Sequence, residues 1–180
     1  MTPQVRLLPQ TLPLVATLAA GDLRSASSLS GVTVTPYIGE YGWLWRLRLQ
    51  QVQRTPVDLD WIARLLLTDR GEVVGHAGFH SAPDAADSVE VAYSVDPAHR
   101  RNGYARAALA LLLDRASRDD VAVVRASIAP DNVGSLAVIA HFGFVQVGEQ
   151  WDDEDGRELV FELPLDGHYG REHGHGISRA

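Results

Sequence analysis

The organisation of this chain is decided by one stretch, Val89–Ala105, which reads VEVAYSVDPAHRRNGYA. It contains a strand, then a turn around Pro97, and then a basic loop that opens directly into a helix. Beyond the loop, apolar residues recur at the spacing of one helical face, at Leu109, Leu112, Leu113 and Ala116. The stretch therefore predicts a strand–loop–helix unit.

The basic loop has the properties of an anion-binding site. Free backbone amides point outward at the start of a helix, and the helix dipole favours an anion there. Gly103 lets the backbone approach a phosphate closely, and Arg100 and Arg101 add positive charge. The residues alone leave a second interpretation open, in which Asn102 only caps the helix and the two arginines form a solvated pair.

The remaining elements predict an α/β (α+β) fold with a mixed sheet, in which helical patterns precede an antiparallel meander and a final β-α-β-α-β-β succession. The predicted helices are Thr11–Ala20, Asp22–Ser30, Tyr37–Arg54, Gly103–Arg118 and Asn132–Phe142. The predicted strands are Gln4–Leu8, Trp61–Thr68, Glu72–Ser81, Ser88–Val95, Val121–Ile128, Phe144–Trp151 and Glu158–Leu163.

The length of 180 residues fits a single domain, which we place over residues 1–165, followed by a polar tail over 166–180. Within the tail, a metal-binding cluster of His168, His173 and His175 is one interpretation. We prefer a flexible or surface-packed tail without metal, because secondary structure fixes no carboxylate or thiol near these histidines.

Composition excludes several classes of function. The chain has no cysteine, which rules out disulfides, a thiolate nucleophile and cysteine-ligated metal. It has no lysine, which rules out a P-loop, and its net charge of −7 argues against nucleic acid as a partner. No apolar run approaches the roughly 20 residues that span a bilayer. Met1–Gln10 lacks a basic region followed by a long apolar one, so we expect a cytoplasmic protein without a membrane partner.

Two motifs at their mutual spacing resemble the GNAT superfamily of N-acetyltransferases. The first is Arg100–Ala105, which fits the pattern Arg/Gln-x-x-Gly-x-Gly/Ala between a strand and a helix. The second is Pro130–Ser135 followed by Val138 and Gly143-Phe144, and it is most similar to the branch of ribosomal-protein N-terminal acetyltransferases. The resemblance extends over Trp61–Leu163. It implies a mostly antiparallel central sheet flanked by helices, with an acceptor-side part at 1–59 and a cofactor-binding core at 60–165.

The resemblance also implies acetyl-CoA as co-substrate. Backbone amides from Arg101 to Ala105 would bind the coenzyme A pyrophosphate, and the strand end at Ser94 and Val95 would pair with the pantetheine amides. Asn132 would hydrogen-bond the pantetheine arm, a role that is compatible with capping the following helix. The cofactor-binding residues implied in this way are Ser94, Val95, Arg100, Arg101, Asn102, Gly103, Tyr104, Ala105 and Asn132.

The reaction implied is direct attack of a neutral amine on the thioester in a ternary complex, since the chain offers no cysteine for an acyl-enzyme. Glu90 is the candidate base, with an exposed edge carboxylate as the competing interpretation. His76 and His80 are further candidates for proton relay, although a plain core or surface histidine is the preferred interpretation for each. Many family members carry a tyrosine where this chain has Ile139, so Ser135 becomes the candidate that assists the leaving thiolate.

The acceptor is left open by the sequence. A protein or peptide α-amine and a small amine are two hypotheses, and a non-catalytic CoA-binding sensor or scaffold is the third. Glu40, Asp58 and the acidic run Asp152–Asp155 are candidates for attracting a cationic amine, although a solvated hairpin tip explains the run equally well. The aromatic residues of the early helix (Tyr37, Tyr41, Trp43 and Trp45) either cover the core of their own domain or face a second subunit in a homodimer.

Overall fold

The computed structural model describes residues 3–152 and 156–165. Seven strands lie in this part of the chain: β1 (Val5–Leu7), β2 (Arg64–Thr68), β3 (Val73–Phe79), β4 (Ser88–Val95), β5 (Val123–Ile128), β6 (Val145–Asp152) and β7 (Gly156–Pro164). The α-helices of the same part are α1 (Leu12–Ala19), α2 (Leu23–Ser30), α3 (Pro36–Glu40), α4 (Gly42–Arg54), α5 (Tyr104–Arg118) and α6 (Val133–His141). No helix described here has the length and apolarity that crossing a membrane requires.

The strands form one sheet in the order β1-β2-β3-β4-β5-β7-β6. Every pairing is antiparallel except that of β4 with β5, which is parallel and is connected through α5. The predicted mixed and mostly antiparallel sheet is therefore confirmed. In this register His76 on β3 lies opposite Ser94 on β4, and Glu90 on β4 lies opposite Arg125 on β5.

The described residues divide into two compact units, and the first comprises residues 3–82 and 91–109. Its core contains Leu18, Ile38, Trp45 and Leu65, which are fully buried. The Trp45 indole also donates its Nε1 hydrogen to the Ile38 carbonyl oxygen at 3.1 Å. Truncation of a buried tryptophan to alanine costs about 3–5 kcal/mol, so this side chain anchors α4.

The second unit comprises residues 83–90, 110–152 and 156–165. Three of the four residues predicted to form the apolar face of α5 lie in this unit and are buried (Leu112, Leu113 and Ala116), and the fourth, Leu109, is buried in the first unit. Asn132 accepts a hydrogen bond from the Ser135 amide at 3.1 Å and so caps α6. The division of the chain at residue 60 and the single domain over 1–165 stay predictions, and the tail 166–180 lies outside the described residues.

Several element boundaries differ from the predictions. The single helix Tyr37–Arg54 is wrong, because the chain forms α3 and α4 with a break at Tyr41, where φ is −90° and ψ is 27°. Glycines at 39 and 42 flank the break, and each lowers helix propensity by about 1 kcal/mol relative to alanine. Trp43 consequently leaves the packing face and is 50% exposed. The strand predicted from Trp61 begins only at Arg64, since a 3₁₀ turn occupies Pro56–Asp60.

Candidate active site

The loop between β4 and α5 is held by its own hydrogen bonds. Asp96 accepts from the Ala98 amide at 2.9 Å, and the Asp96 amide donates to the Val74 carbonyl oxygen on β3 at 3.0 Å. His99 contacts the Glu72 carboxylate at 3.2 Å. A loop fixed at this entrance presents the following backbone in one orientation, which preorganises it for a ligand.

The backbone from Arg101 to Ala105, which we call the cradle, precedes and begins α5. Arg101 and Gly103 both have positive φ, 61° and 83°, and left-handed residues of this kind occur in the backbone nests that bind anions. Among the described residues, the amides of Arg101 to Ala105 donate to no backbone carbonyl. A cradle of unpaired amides before a helix is the arrangement that binds phosphate groups.

Side chains reinforce this cradle. Asn102 donates through Nδ2 to the carbonyl oxygens of His99 and Arg100, at 3.1 and 3.3 Å. It therefore braces the loop, and the interpretation of Asn102 as only a helix cap is wrong because its amide group donates to loop carbonyls. Arg100 donates through Nε to the Val95 carbonyl oxygen at 3.1 Å, whereas Arg101 is exposed.

The end of β4 offers a backbone edge beside this loop. The parallel ladder with β5 covers Ser88–Glu90, while Val91–Val95 is paired with β3. Backbone groups at a strand edge can accept an extended chain as an added strand. Ser94 and Val95, both expected at the pantetheine, belong to this segment.

Three hydroxyl groups meet at Ser94, and sequence reasoning missed this group. The Tyr37 and Tyr41 hydroxyls lie 2.6 and 2.8 Å from Ser94 Oγ, and 3.0 Å from each other. We call these three residues the hydroxyl cluster. Burial raises the pKa of Tyr37 to about 12, and the Tyr41 hydroxyl adds to this rise, whereas the hydrogen bond with Ser94 opposes it. Tyr37 is therefore protonated at neutral pH.

His76 lies next to the hydroxyl cluster. Its ring is 4.5 Å from the Tyr41 ring and 5.9 Å from the Trp45 ring, centroid to centroid, and only 4% of the residue is exposed. Neither ring nitrogen has a hydrogen-bond partner among the described residues. The pKa of His76 is lowered to about 4, mainly by burial and to a lesser extent by the positive charge of Arg48. His76 is thus a neutral core histidine near pH 7.

One acceptor-side expectation, that Asp58 attracts a cationic amine, is wrong. Asp58 is buried, and its carboxylate accepts from Gln51 Nε2 at 2.7 Å and from the Ala82 amide at 2.9 Å. It is therefore a structural carboxylate that compensates the buried Arg48 guanidinium, and it is not free to attract an amine. His80 lies just beyond the end of β3, and its role as a proton relay stays a prediction. Glu40 is exposed at the end of α3, and of the predicted acidic run, residues 153–155 lie outside the described residues.

The second unit holds the remaining candidates. Glu90 is half-buried opposite Arg125 and adds to the carboxylates that act on this arginine. Arg125 also pairs with Glu162 at 2.7 Å, and that hydrogen bond raises the pKa of Arg125. Ser135 is half-buried in the first turn of α6, and Ile139 is buried with 1% exposure.

The structure thus groups the predicted residues by unit. Ser94, Val95 and the loop residues Arg100 to Ala105 lie in the first unit, whereas Glu90, Asn132 and Ser135 lie in the second. No group of three or more histidines, aspartates or glutamates that could hold a metal ion occurs in residues 3–152 and 156–165. The predicted tail histidines lie outside that part.

In this fold, a basic loop with free backbone amides joins β4 to α5. The family model of the acetyltransferase (GNAT) domain matches residues 33–145, which is more than half of the chain. The chain therefore belongs to the GNAT acetyltransferase family, and the family resemblance of the sequence is confirmed.

Individual relatives extend this assignment. The chain is 34% identical over 86 residues to YjdG, an uncharacterized N-acetyltransferase of Bacillus subtilis (strain 168), and the match covers 47% of this chain and 50% of that protein. The chain thus matches half the length of this curated relative.

Solved structures share the fold. A ribosomal-protein-S5-alanine acetyltransferase from Vibrio fischeri has 19% identity and a TM-score of 0.61, covering 92% of this chain and 94% of that one. The structure of yncA, a putative acetyltransferase from Salmonella typhimurium with its cofactor acetyl-CoA, has 22% identity and a TM-score of 0.58, covering 94% of this chain and 97% of that one.

Proposed function

We propose that this protein is an acetyl-CoA-dependent N-acetyltransferase that transfers the acetyl group to a primary amine. The observation that carries the proposal is the cradle of free amides from Arg101 to Ala105, which follows β4 and opens α5 inside the region matched by the family model. Such a cradle suits the pyrophosphate of a nucleotide-containing co-substrate.

The residues present fit acetyl-CoA. The pyrophosphate would be held by the amides of Arg101 to Ala105, with charge from Arg100 and Arg101 and bracing from Asn102. Gly103 adopts its positive φ without the steric cost that an L side chain would carry there. Ser94 and Val95 would pair with the pantetheine arm, and Asn132 would hydrogen-bond it while capping α6. The acetyl-CoA in the yncA structure supports this assignment through the shared fold.

Two side chains assist the proposed reaction. The amine nitrogen attacks the thioester carbonyl carbon, so that the N–C bond forms and the C–S bond breaks. The Glu90 carboxylate accepts the proton that the amine nitrogen loses, and the Ser135 hydroxyl donates a hydrogen bond that stabilises the leaving thiolate. Ile139 is buried and apolar, which leaves Ser135 as our candidate on α6.

The test is the release of coenzyme A from acetyl-CoA across a panel of peptides and small amines, measured with a thiol reagent. The chain has no cysteine and therefore gives no thiol background. Release that requires one class of amine establishes the transferase and identifies that class. If acetyl-CoA binds but no amine causes release of coenzyme A, the transferase proposal is contradicted and a CoA-binding sensor or scaffold is favoured. The observation that supports this alternative is the presence of Ile139 where many family members have a tyrosine. The cytoplasmic location and the homodimer stay predictions from the sequence.

A further inference from the structure

The hydroxyl cluster has a fixed hydrogen-bonding capacity. Each hydroxyl group offers one proton and two lone pairs. Three contacts join Tyr37, Tyr41 and Ser94, and each contact requires one proton, so the contacts use all three protons whatever their direction. The oxygens keep spare lone pairs, and the cluster can therefore only accept further hydrogen bonds.

Arg100 already uses this accepting capacity. Its side chain forms a hydrogen bond with the Tyr37 hydroxyl, in which the guanidinium donates. Tyr41 and Ser94 are each half-buried, so part of the cluster faces solvent. A group that donates N–H hydrogens, such as an amine, matches the lone pairs that remain.

The charges around the cluster oppose a protonated amine. The charged and titratable groups that contact its members from the neighbouring elements are Arg100 in the loop and His76 on β3, and the charge that acts on His76 is Arg48 on α4. The Arg100 guanidinium donates to the Tyr37 hydroxyl, so a full positive charge lies against the cluster and disfavours an ammonium group there. The site therefore favours an N–H donor without positive charge.

We propose that the hydroxyl cluster of Tyr37, Tyr41 and Ser94 binds the acceptor amine and selects its uncharged form. The inference rests on the proposed function and adds its acceptor site. Ser94 also belongs to the strand end that we assign to the pantetheine arm, so the amine site and the proposed cofactor path adjoin at one residue. An amine that binds in its neutral form is already a nucleophile, so the cluster itself needs no carboxylate to deprotonate an ammonium group.

The first experiment removes single hydroxyl groups. Tyr37→Phe and Ser94→Ala each delete one oxygen, and a neutral hydrogen bond of about 0.5–1.5 kcal/mol corresponds to a roughly 2- to 12-fold rise in the KM for the acceptor. In Tyr37→Phe the Kd for acetyl-CoA should stay within about twofold of the wild-type value, because Tyr37 supplies none of the cradle amides and none of the backbone groups assigned to the pantetheine arm.

Matched controls separate this effect from general damage. Tyr93→Phe removes a hydroxyl from the position before Ser94, whose side chain points to the opposite face of the strand. Ser28→Ala removes an exposed hydroxyl of α2 that bonds the Arg24 carbonyl oxygen. Both controls should leave the acceptor KM unchanged, and thermal melting of all four variants identifies any that fail to fold.

The second experiment tests the protonation state, with a tripeptide whose α-amine is its single amine. If the neutral form alone binds, the acceptor KM falls about tenfold between pH 6 and pH 7, since the reference α-amine pKa is near 8. The pKa of His76, about 4, and that of Tyr37, about 12, lie outside this interval. The arginine side chains keep their charge throughout.

The outcomes separate the two proposals. If Tyr37→Phe and Ser94→Ala both turn over with an acceptor KM within twofold of the wild-type value, the proposed amine site is refuted and the proposed transferase activity stands. An acceptor KM that does not fall from pH 6 to pH 7 overturns selection of the neutral form. Acetyl-CoA binding without turnover for any amine refutes the proposed function, and the amine site with it.

Discussion

Replacement of Gly103 by alanine is the sharpest test of the anion cradle. Gly103 has a φ of 83°, a left-handed conformation that costs an L-residue about 1–2 kcal/mol. Its added Cβ would also lie 3.0 Å from Pro3 Cδ, so that the N-terminal segment has to give by a few tenths of an ångström. A protein of this length loses roughly 2–4 °C of Tm per kcal/mol, which predicts a fall of about 2–8 °C.

Gly71→Ala is the matched control for this substitution. Gly71 has nearly the same φ, 81°, in the turn between β2 and β3, and nothing lies within 4 Å of a Cβ placed there. The backbone cost is therefore shared by both variants, whereas only Gly103 belongs to the cradle. A difference between the two in cofactor affinity reports the cradle itself.

The affinity effect follows from the lost hydrogen bonds. Alanine at Gly103 disfavours the left-handed backbone conformation that positions the cradle amides, and one lost hydrogen bond to a charged group costs about 1.5–3 kcal/mol. Titration calorimetry should therefore show that the Kd for acetyl-CoA rises at least about tenfold in Gly103→Ala and stays near the wild-type value in Gly71→Ala. Equal values of Kd in the two variants would refute the cradle.

Three further predictions address charge, catalysis and pH. Arg101→Ala should weaken acetyl-CoA binding, and the loss should shrink as salt is raised from low to physiological ionic strength; a salt-independent loss would contradict a charge effect. Glu90→Gln and Ser135→Ala should each lower kcat at least about tenfold while the Kd for acetyl-CoA changes little, and unchanged turnover in both would refute the proposed roles. His76 has its pKa lowered from 6.5 to about 4, so the unfolded state binds more protons between these values. The stability due to this shift, of the order of 3 kcal/mol, is complete above pH 6.5 and is lost as the pH falls toward 4. Urea unfolding of His76→Leu should show a smaller loss over this interval than wild type, and equal losses would contradict the assignment.

Local order in the sequence explains which parts of the site could be predicted. The strand, loop and helix of the cradle are consecutive, so periodicity, one proline and one glycine define them together. The hydrogen bonds of Asn102 were beyond such reasoning, because a cap and a loop brace use the same residue at the same position. Only the backbone conformation decides which group the side chain meets.

Contacts between distant residues explain what the sequence missed. Tyr37 and Ser94 are 57 positions apart, and nothing in either local pattern indicates that their hydroxyls meet. The sequence predicted one helix over Tyr37–Arg54, yet the chain breaks at Tyr41 and places its hydroxyl against Ser94. The same limit applies to Asp58, whose burial depends on Arg48, Gln51 and a backbone amide at residue 82.

Arg100 connects the electrostatics of the cradle with those of the hydroxyl cluster. Its side chain donates to the Val95 carbonyl oxygen and to the Tyr37 hydroxyl, although its backbone begins the loop. On the proposed assignments, a bound pyrophosphate would partly compensate the charge that Arg100 directs at the cluster. The positive charge that attracts an anion to the loop is thus also what disfavours a protonated acceptor on the neighbouring hydroxyls.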